Sequence, residues 1–255
     1  MKRTGRYYLV RDEEEPYRTC RNKNFMGKVM LLCALTRPRI DNEGKCYFDG
    51  KIGCFPLVTY EPARRTSKNR VAGTLEMKPI TSITKEVMRA FIIEKVIPAI
   101  WEKWPSEDAG KPIFIQQDNA RPHIDPSDPL FCEAAQQDGF NIQLICQPPN
   151  SPDLNILDLG FFASIQSIQF KNSNRTVLDI VDVVQREFEK YSPSLSNKIF
   201  LTLQAVMIEV IKARGGNNYK TPHINKALLE REGKLPWQLK CDLHLVQDVR
   251  MQVEE

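Results

Sequence analysis

The sequence lacks the features that mark membrane, secreted and zinc-binding proteins. Its apolar segment at residues 29–35 is far shorter than the roughly 20 residues that a membrane-spanning helix needs. The seven cysteines are scattered without a Cys-x-x-Cys motif, and Cys241 with His244 forms only half of a zinc site. The first residues, MKRTGR, do not lead into a secretory signal core. We therefore predict an intracellular protein with reduced thiols, no structural zinc and no membrane partner.

Length and charge leave several classes of protein open. A chain of 255 residues that is 42% hydrophobic can bury the core of one large domain, or of one domain with an appendage. The net charge is +4, but residues 1–80 carry +8 and the remainder carries −4. A basic first third beside an acidic remainder suits a DNA-processing enzyme, although an ordinary solvated surface gives the same imbalance.

Two segments contain carboxylates in positions that suit a metal ion. IFIQQD at residues 113–118 reads as a short apolar strand that ends on Asp118. QPPNSPDLNILD at residues 147–158 reads as a proline-rich loop that leads into a helix with Asp158 in its first turn. The helical spacing places Asp158 on the apolar stripe of Phe162 and Ile165, where an aspartate needs a partner or a metal. For a lone aspartate, stabilisation by the helix dipole is the simpler explanation.

The motifs QDNARPH (117–123), SPDLN (151–155) and LD (157–158) together resemble the catalytic core of the mariner superfamily of DNA transposases. Thirty-nine residues separate Asp118 from Asp158, a spacing similar to that of the plant-type mariner-like branch. Further segments that resemble the family are YYL (7–9), EEEPYR (13–18), RPR (37–39), FDGKI (48–52) and NYKTPH (218–223).

Asp153 is the alternative to Asp158 as the second metal-binding acid after Asp118. Thirty-four residues separate Asp153 from Asp118, which is the gap of the animal mariner branch. In both branches the metal-binding acid follows the Ser-Pro-Asp-Leu turn by several residues, and here that acid is Asp158. Asp153, between Pro152 and Leu154, is interpreted as a turn or helix-capping acid.

The resemblance implies an α/β fold of the RNase H-like (DDE/D transposase/integrase) type, a mixed sheet flanked by helices. Residues 1–170 would form the catalytic domain, and residues 171–255 a helical part packed on it. The family's first acid ends the central strand of the sheet, and no acid here matches it, since Asp12 and residues 13–15 align with another segment. We therefore expect an N-terminally truncated chain that lacks this strand and does not catalyse transposition.

The local patterns predict the secondary structure in chain order. Strands are expected at residues 6–10, 28–36, 46–49, 51–60, 113–118 and 142–146, and a loop at 61–80. Helices are expected at residues 83–104, 129–137, 177–188 and 199–211, with a short one ending near 231.

The predicted loop at residues 61–80 has the composition of a phosphate-binding surface. Long basic and small polar side chains can follow a nucleic-acid backbone without reading its bases. The alternative is a basic loop without a partner. The residues assigned to DNA binding are Arg64, Arg65, Lys68 and Arg70.

The family's chemistry is DNA cleavage at transposon ends, followed by strand transfer into target DNA. The resemblance implies that Asp118 and Asp158 bind Mg²⁺ or Mn²⁺, while Asn119, Arg121 and His123 orient the loop or contact phosphate. It also implies a nuclear protein with DNA as its partner and a homodimer as its assembly. The competing functions are a non-catalytic DNA- or protein-binding derivative and a general metal-dependent RNase H-type nuclease.

Overall fold

Strands and helices follow one another along the chain in a mixed α/β arrangement of small sheets and helices. The computed structural model describes residues 28–68, 70–169 and 176–253, so the strand predicted at residues 6–10 lies outside the described residues. The described strands are β1 (Leu31–Leu35), β2 (Arg39–Ile40), β3 (Cys46–Phe48), β4 (Lys51–Pro56), β5 (Val58–Pro62), β6 (Leu75–Pro79), β7 (Ile113–Gln117) and β8 (Ile142–Cys146). The described α-helices are α1 (Lys85–Phe91), α2 (Ile97–Lys103), α3 (Pro129–Ala135), α4 (Phe162–Gln169), α5 (Val177–Glu189), α6 (Pro193–Lys212), α7 (Lys226–Arg231) and α8 (Leu243–Val253).

Strands β1 and β4 form an antiparallel pair that is covered on both faces. Side chains of a strand alternate between its faces. Leu32 and Ala34 accordingly join one hydrophobic core, while Cys33 joins a second core together with Cys54. Cys33 lies opposite Cys54 in the register, and their Sγ atoms are 3.2 Å apart. The apolar run predicted to be buried on both faces therefore contacts a hydrophobic core on each face.

The predicted helix at residues 83–104 is a helical segment with a wide turn in its middle. The Thr84 Oγ1 accepts a hydrogen bond from the Val87 N–H and caps its start. Between α1 and α2, Ile92–Val96 forms a π-helical turn. This turn directly precedes Pro98, whose ring removes an N–H and crowds the preceding turn. The sequence predicted the disturbance at Pro98.

Strands β7 and β8 form a parallel pair with α3 in the connection between them. Ile113 and Leu144 point into the same core as Ile52 of β4 and Ile97 of α2. The two sheets therefore share one core, although no hydrogen bonds join them within the described part of the chain. The opposite face of β7–β8 exposes Phe114 and Ile145.

The second core connects the β1–β4 sheet with the helices that follow residue 156. Phe161 and Ile165 pack there with Cys33 and with Val184 and Phe188 of α5. The Phe161 ring meets the Phe188 ring edge-on, with the ring centroids 5.9 Å apart. This core fixes the position of the turn that carries Asp158.

The segment at residues 51–80 differs from the prediction in two places. The strand expected at 51–60 is divided into β4 and β5 at Leu57, whose N–H donates to the Met30 carbonyl. The second half of the predicted loop is strand β6, which pairs with β5. Glu61 faces Glu76 across this hairpin, and basic partners offset the repulsion. Residues 75–78 of β6 do alternate between apolar and charged side chains, but the basic and small polar residues before them gave the whole segment the composition of a loop.

Helix α6 is long and apolar enough, by length and composition alone, to cross a membrane. The sequence analysis predicted a helix at residues 199–211 but did not consider it as a membrane span. Core helices of soluble proteins share this length and composition. Leu201 and Val206 of α6 are completely buried in the protein.

Candidate metal centre

Asp118 lies directly after β7, as the sequence predicted. Its Oδ1 accepts a hydrogen bond of 2.9 Å from the Ala120 N–H and so closes a tight turn. The His123 Nδ1 lies 2.8 Å from both the carbonyl oxygen and the Oδ1 of Asp118. The Asp118 side chain remains 46% exposed. Its carboxylate is therefore oriented by its own loop and is accessible from solvent.

Hydrogen bonds between main chain and side chains hold the two predicted motifs together. The Gln147 N–H donates to the Gln117 carbonyl at 2.8 Å, which continues the β7–β8 pairing by one residue. The Asn119 Nδ2 donates to the Gln147 carbonyl at 2.7 Å. The Gln116 Nε2 donates to the Leu154 carbonyl at 2.9 Å. The loop after β7 and the loop after β8 thus form one connected unit.

Asp158 lies in a π-helical turn, Leu157–Phe161, where the Phe162 N–H donates to the Leu157 carbonyl. The sequence prediction that Asp158 shares the buried stripe was wrong, because Asp158 is exposed while Phe161 is buried. A π-helical turn contains more residues than an α-helical one and shifts the phase of the side chains. The shift turns the carboxylate towards the surface, on the side of the Asp118 loop.

Hydrogen bonds join the loop that holds Asp118 to the loop that leads to Asp158. Desolvation by the surrounding protein raises the pKa of Asp158 above its ordinary value, and the negative charge of Asp118 adds to this increase. The Asn155 Nδ2, 3.0 Å from Asp158 Oδ2, lowers this pKa and opposes both effects. The pair therefore accumulates negative charge that a cation would relieve.

Asn155 also belongs to the site, although the sequence analysis did not assign it there. Its Oδ1 accepts from the Leu157 N–H at 3.0 Å while its Nδ2 donates to Asp158, so it fixes the start of the turn. The signal in the sequence was an asparagine three residues before the aspartate, the spacing of a helix-start cap.

The two carboxylates are ligands of the type that a hard divalent cation prefers, but they are few. Mg²⁺ prefers carboxylate oxygens and keeps several waters. Within the described residues, no group of three or more His, Cys, Asp or Glu side chains could hold a metal ion. Two buried amide oxygens of the same loops, Gln117 Oε1 and Gln147 Oε1, have no described hydrogen-bond partner. The site as described provides two acidic ligands.

The other residues of the first motif have different positions. Asn119 and His123 hold the loop through the hydrogen bonds given above. Arg121 is exposed and forms no ion pair with any described residue. Its guanidinium is thus free to contact an anion near Asp118.

Asp153 has a partner of its own. It lies in a 3₁₀ turn, Pro152–Leu154, and its Oδ2 accepts a hydrogen bond of 2.6 Å from the Tyr219 hydroxyl. This bond, with burial and the negative charge, raises the pKa of Tyr219 to about 12. Asp153 therefore fastens the loop to the C-terminal part of the chain.

The predicted DNA-binding residues lie on the connection between β5 and β6. Arg64, Arg65 and Lys68 are exposed and form no ion pair with any residue that the structure describes. Arg70 forms an ion pair with Glu76, so its charge is partly neutralised. The connection presents three unpaired cations to solvent.

Comparisons of the chain with protein-family models, curated proteins and solved structures found no significant match.

Proposed function

We propose that the chain is a mariner-type DNA transposase catalytic core in which Asp118 and Asp158 bind Mg²⁺ or Mn²⁺. The observation that carries this proposal is that hydrogen bonds join the loop holding Asp118 to the loop leading to Asp158, with 39 residues between the two aspartates. The resemblance of the motifs to the mariner superfamily is the reason for assigning a metal ion to this pair. The bound ion would supply positive charge to phosphate oxygens and lower the pKa of a bound water.

An RNase H-like architecture is part of the proposal. The antiparallel β1–β4 pair and the parallel β7–β8 pair pack against the same helical segment and share one core. A strand between the two pairs would join them into a single mixed sheet. Its end would lie near the acid that follows β7, which is where the family's first acid belongs.

The chain's own residues would prepare the site for phosphate. Asn119 and His123 hold the Asp118 loop, Asn155 orients Asp158, and Arg121 offers a free guanidinium to phosphate oxygens. Two-ion phosphoryl transfer stabilises the attacking and the leaving oxygens together, and a third carboxylate normally supports the second ion. Because the described residues provide two acids, we propose that this chain binds the cation but does not cut DNA without a further carboxylate.

Cation binding tests the site directly. Titration with Mn²⁺, followed by electron paramagnetic resonance, should show one weak site in the unaltered chain. Asp118→Asn and Asp158→Asn should each weaken binding at least tenfold. Asp153→Asn is the matched control and should leave binding unchanged, because Asp153 is held by Tyr219. Equal binding by all four proteins would refute the assignment.

A plasmid-nicking assay in Mg²⁺ or Mn²⁺ tests the expected lack of catalysis. We expect no nicking by the chain alone. Nicking that disappears in Asp118→Asn would show an active enzyme and would contradict that part of the proposal.

The three unpaired cations on the β5–β6 connection support a second candidate function, a non-catalytic DNA-binding derivative. The double variant Arg64→Gln with Arg65→Gln should lower the slope of log K against log salt by about 2. The control Lys240→Gln with Arg250→Gln removes the same charge from exposed positions elsewhere. Salt-dependent DNA affinity without cation binding would favour this alternative.

A further inference from the structure

A cavity of about 590 Å³ lies on the other side of the Asp158 turn, between that turn, α6 and α7. Its walls include Leu159 and Gly160, which follow Asp158 directly in the chain. Three cationic side chains line it: Lys198 from α6, and Lys226 and Arg231 from α7. The volume falls within the range of roughly 300–1,000 Å³ typical of small-ligand sites.

Lys226 is a cation without a counter-ion among the described residues. Its Nζ donates to the Lys198 carbonyl at 2.8 Å and to the Thr202 hydroxyl, which are both neutral acceptors. Its side chain is partly buried, and burial followed by the charge of Lys198 lowers its pKa. A partly buried charge that faces another cation is unfavourable unless an anion compensates it.

The single carboxylate at this cluster does not neutralise it. Glu230 lies 2.5 Å from the Lys198 Nζ and also accepts from the Ser194 hydroxyl. This ion pair leaves Lys226 and Arg231 without a carboxylate partner in the described chain. The Arg231 Nε reaches only the Ala227 carbonyl, at 3.4 Å. Two positive charges thus remain at the wall of one cavity.

The apolar residues of the cavity wall indicate which kind of chemical group would be attached to the anion. Leu195, Ile199 and Leu228 line the same cavity, so an uncharged organic group can pack beside the cations. Phosphate suits the cluster because arginine and lysine together offer several charge-assisted donors to its oxygens.

From the unneutralised cations and the apolar wall of this cavity, we propose that it binds a phosphate group carried on a small organic moiety, held by Lys226 and Arg231. The site is distinct from the Asp118–Asp158 pair, and its function does not depend on the proposed transposase function.

Three probes distinguish the sources of such a phosphate: inorganic phosphate, adenosine monophosphate and a ten-nucleotide single strand. Binding is measured by isothermal titration calorimetry at constant ionic strength set with chloride, and with a chelator present so that the Asp118–Asp158 pair holds no metal. We expect adenosine monophosphate to bind more tightly than inorganic phosphate, because its nucleoside can contact the apolar wall. A single strand that binds more tightly than both would identify a nucleic-acid backbone as the source.

Lys226→Met should weaken the tightest of these interactions at least tenfold. Lys212→Met is the control, since it removes the same charge from α6 outside the cavity. The melting temperature of each variant is measured as well, to show that lost binding does not come from unfolding. Arg231→Gln, at an exposed position, provides a second variant and should weaken binding several-fold.

Failure of all three probes to bind would overturn the proposal, as would undiminished binding by both Lys226→Met and Arg231→Gln.

Discussion

Asp128 and Asp158 both lie at the beginning of a helical segment, but their surroundings act on them in opposite directions. Asp128 is buried, accepts from the Phe131 N–H and forms a two-pronged ion pair with Arg89. Its pKa is lowered, chiefly by that hydrogen-bonded arginine. The pKa of Asp158 is raised, and the nearby charge is another carboxylate. Asp128 therefore stabilises the fold, whereas Asp158 is positioned at a cost that a bound cation would offset.

Removal of the Asp128 carboxylate should give the largest change in the free energy of unfolding. Asp128→Ala leaves Arg89 without its carboxylate and α3 without its cap, and should lower the free energy of unfolding by about 3 kcal/mol. Urea denaturation measures the change. Glu133→Gln, at an exposed position of the same helix, should change it by less than about 0.5 kcal/mol. A loss from Asp128→Ala no larger than that of the control would remove the contrast between the two aspartates.

The pH dependence of stability should separate the two acids next. Asp128 has a lowered pKa in the folded state, so its contribution is present above the unfolded pKa of about 3.9 and is lost as pH falls through the folded value. Asp158 has a raised pKa, so the folded state binds its proton more readily, and stability falls as pH rises from about 3.9 through the raised value. The measurement is the urea midpoint as a function of pH between pH 3 and 7. Asp128→Asn should abolish the first pH dependence, and Asp158→Asn should abolish the second. Parallel profiles would contradict the assignment.

The Tyr219–Asp153 bond offers a third acid for the comparison, one whose partner is an uncharged hydroxyl group. Tyr219→Phe should lower the free energy of unfolding by about 1 kcal/mol. In an ultraviolet titration, one tyrosine should ionise near pH 12, and Asp153→Asn should return it towards its ordinary range. An unchanged tyrosine titration in Asp153→Asn would show that another group raises the pKa of Tyr219.

The smallest expected effect has the opposite sign. Asp158→Asn should raise the free energy of unfolding, by no more than about 1 kcal/mol, because it removes a like-charge contact near the surface. The comparison is made by urea denaturation without divalent cations. In saturating Mn²⁺ the unaltered chain should regain the difference. A clear loss of stability in metal-free buffer would place Asp158 with Asp128 as a structural acid.

The sequence predicted the local elements around the site well. The strand before Asp118, the helix at residues 129–137 and the strand at 142–146 correspond to β7, α3 and β8, because each has a clear apolar period. The phase of Asp158 was wrong, since a π-helical turn does not follow the α-helical period on which the prediction relied. Strand β6 was missed although residues 75–78 alternate between apolar and charged side chains, because this alternation is short and follows a long basic, polar stretch.

The basic cavity could not have been predicted in the same way. Lys198 and Lys226 lie on different helices, and their proximity depends on how α7 packs against α6. Sequence spacing carries no information about such a contact. The asparagine that holds Asp158 had a local signal, whereas the cluster of cations had none.

Gly160 joins the acid pair and the basic cavity in one place. It follows Asp158 by two residues and lines the cavity, and a Cβ at this position would lie 3.2 Å from the Ile199 Cδ1. A single absent methyl group thus allows α6 to approach the turn closely. A larger residue would have to displace the Ile199 side chain, which lines the cavity, from beside the turn that carries Asp158. One backbone position thus borders both sites, and its lack of a side chain serves the packing of each.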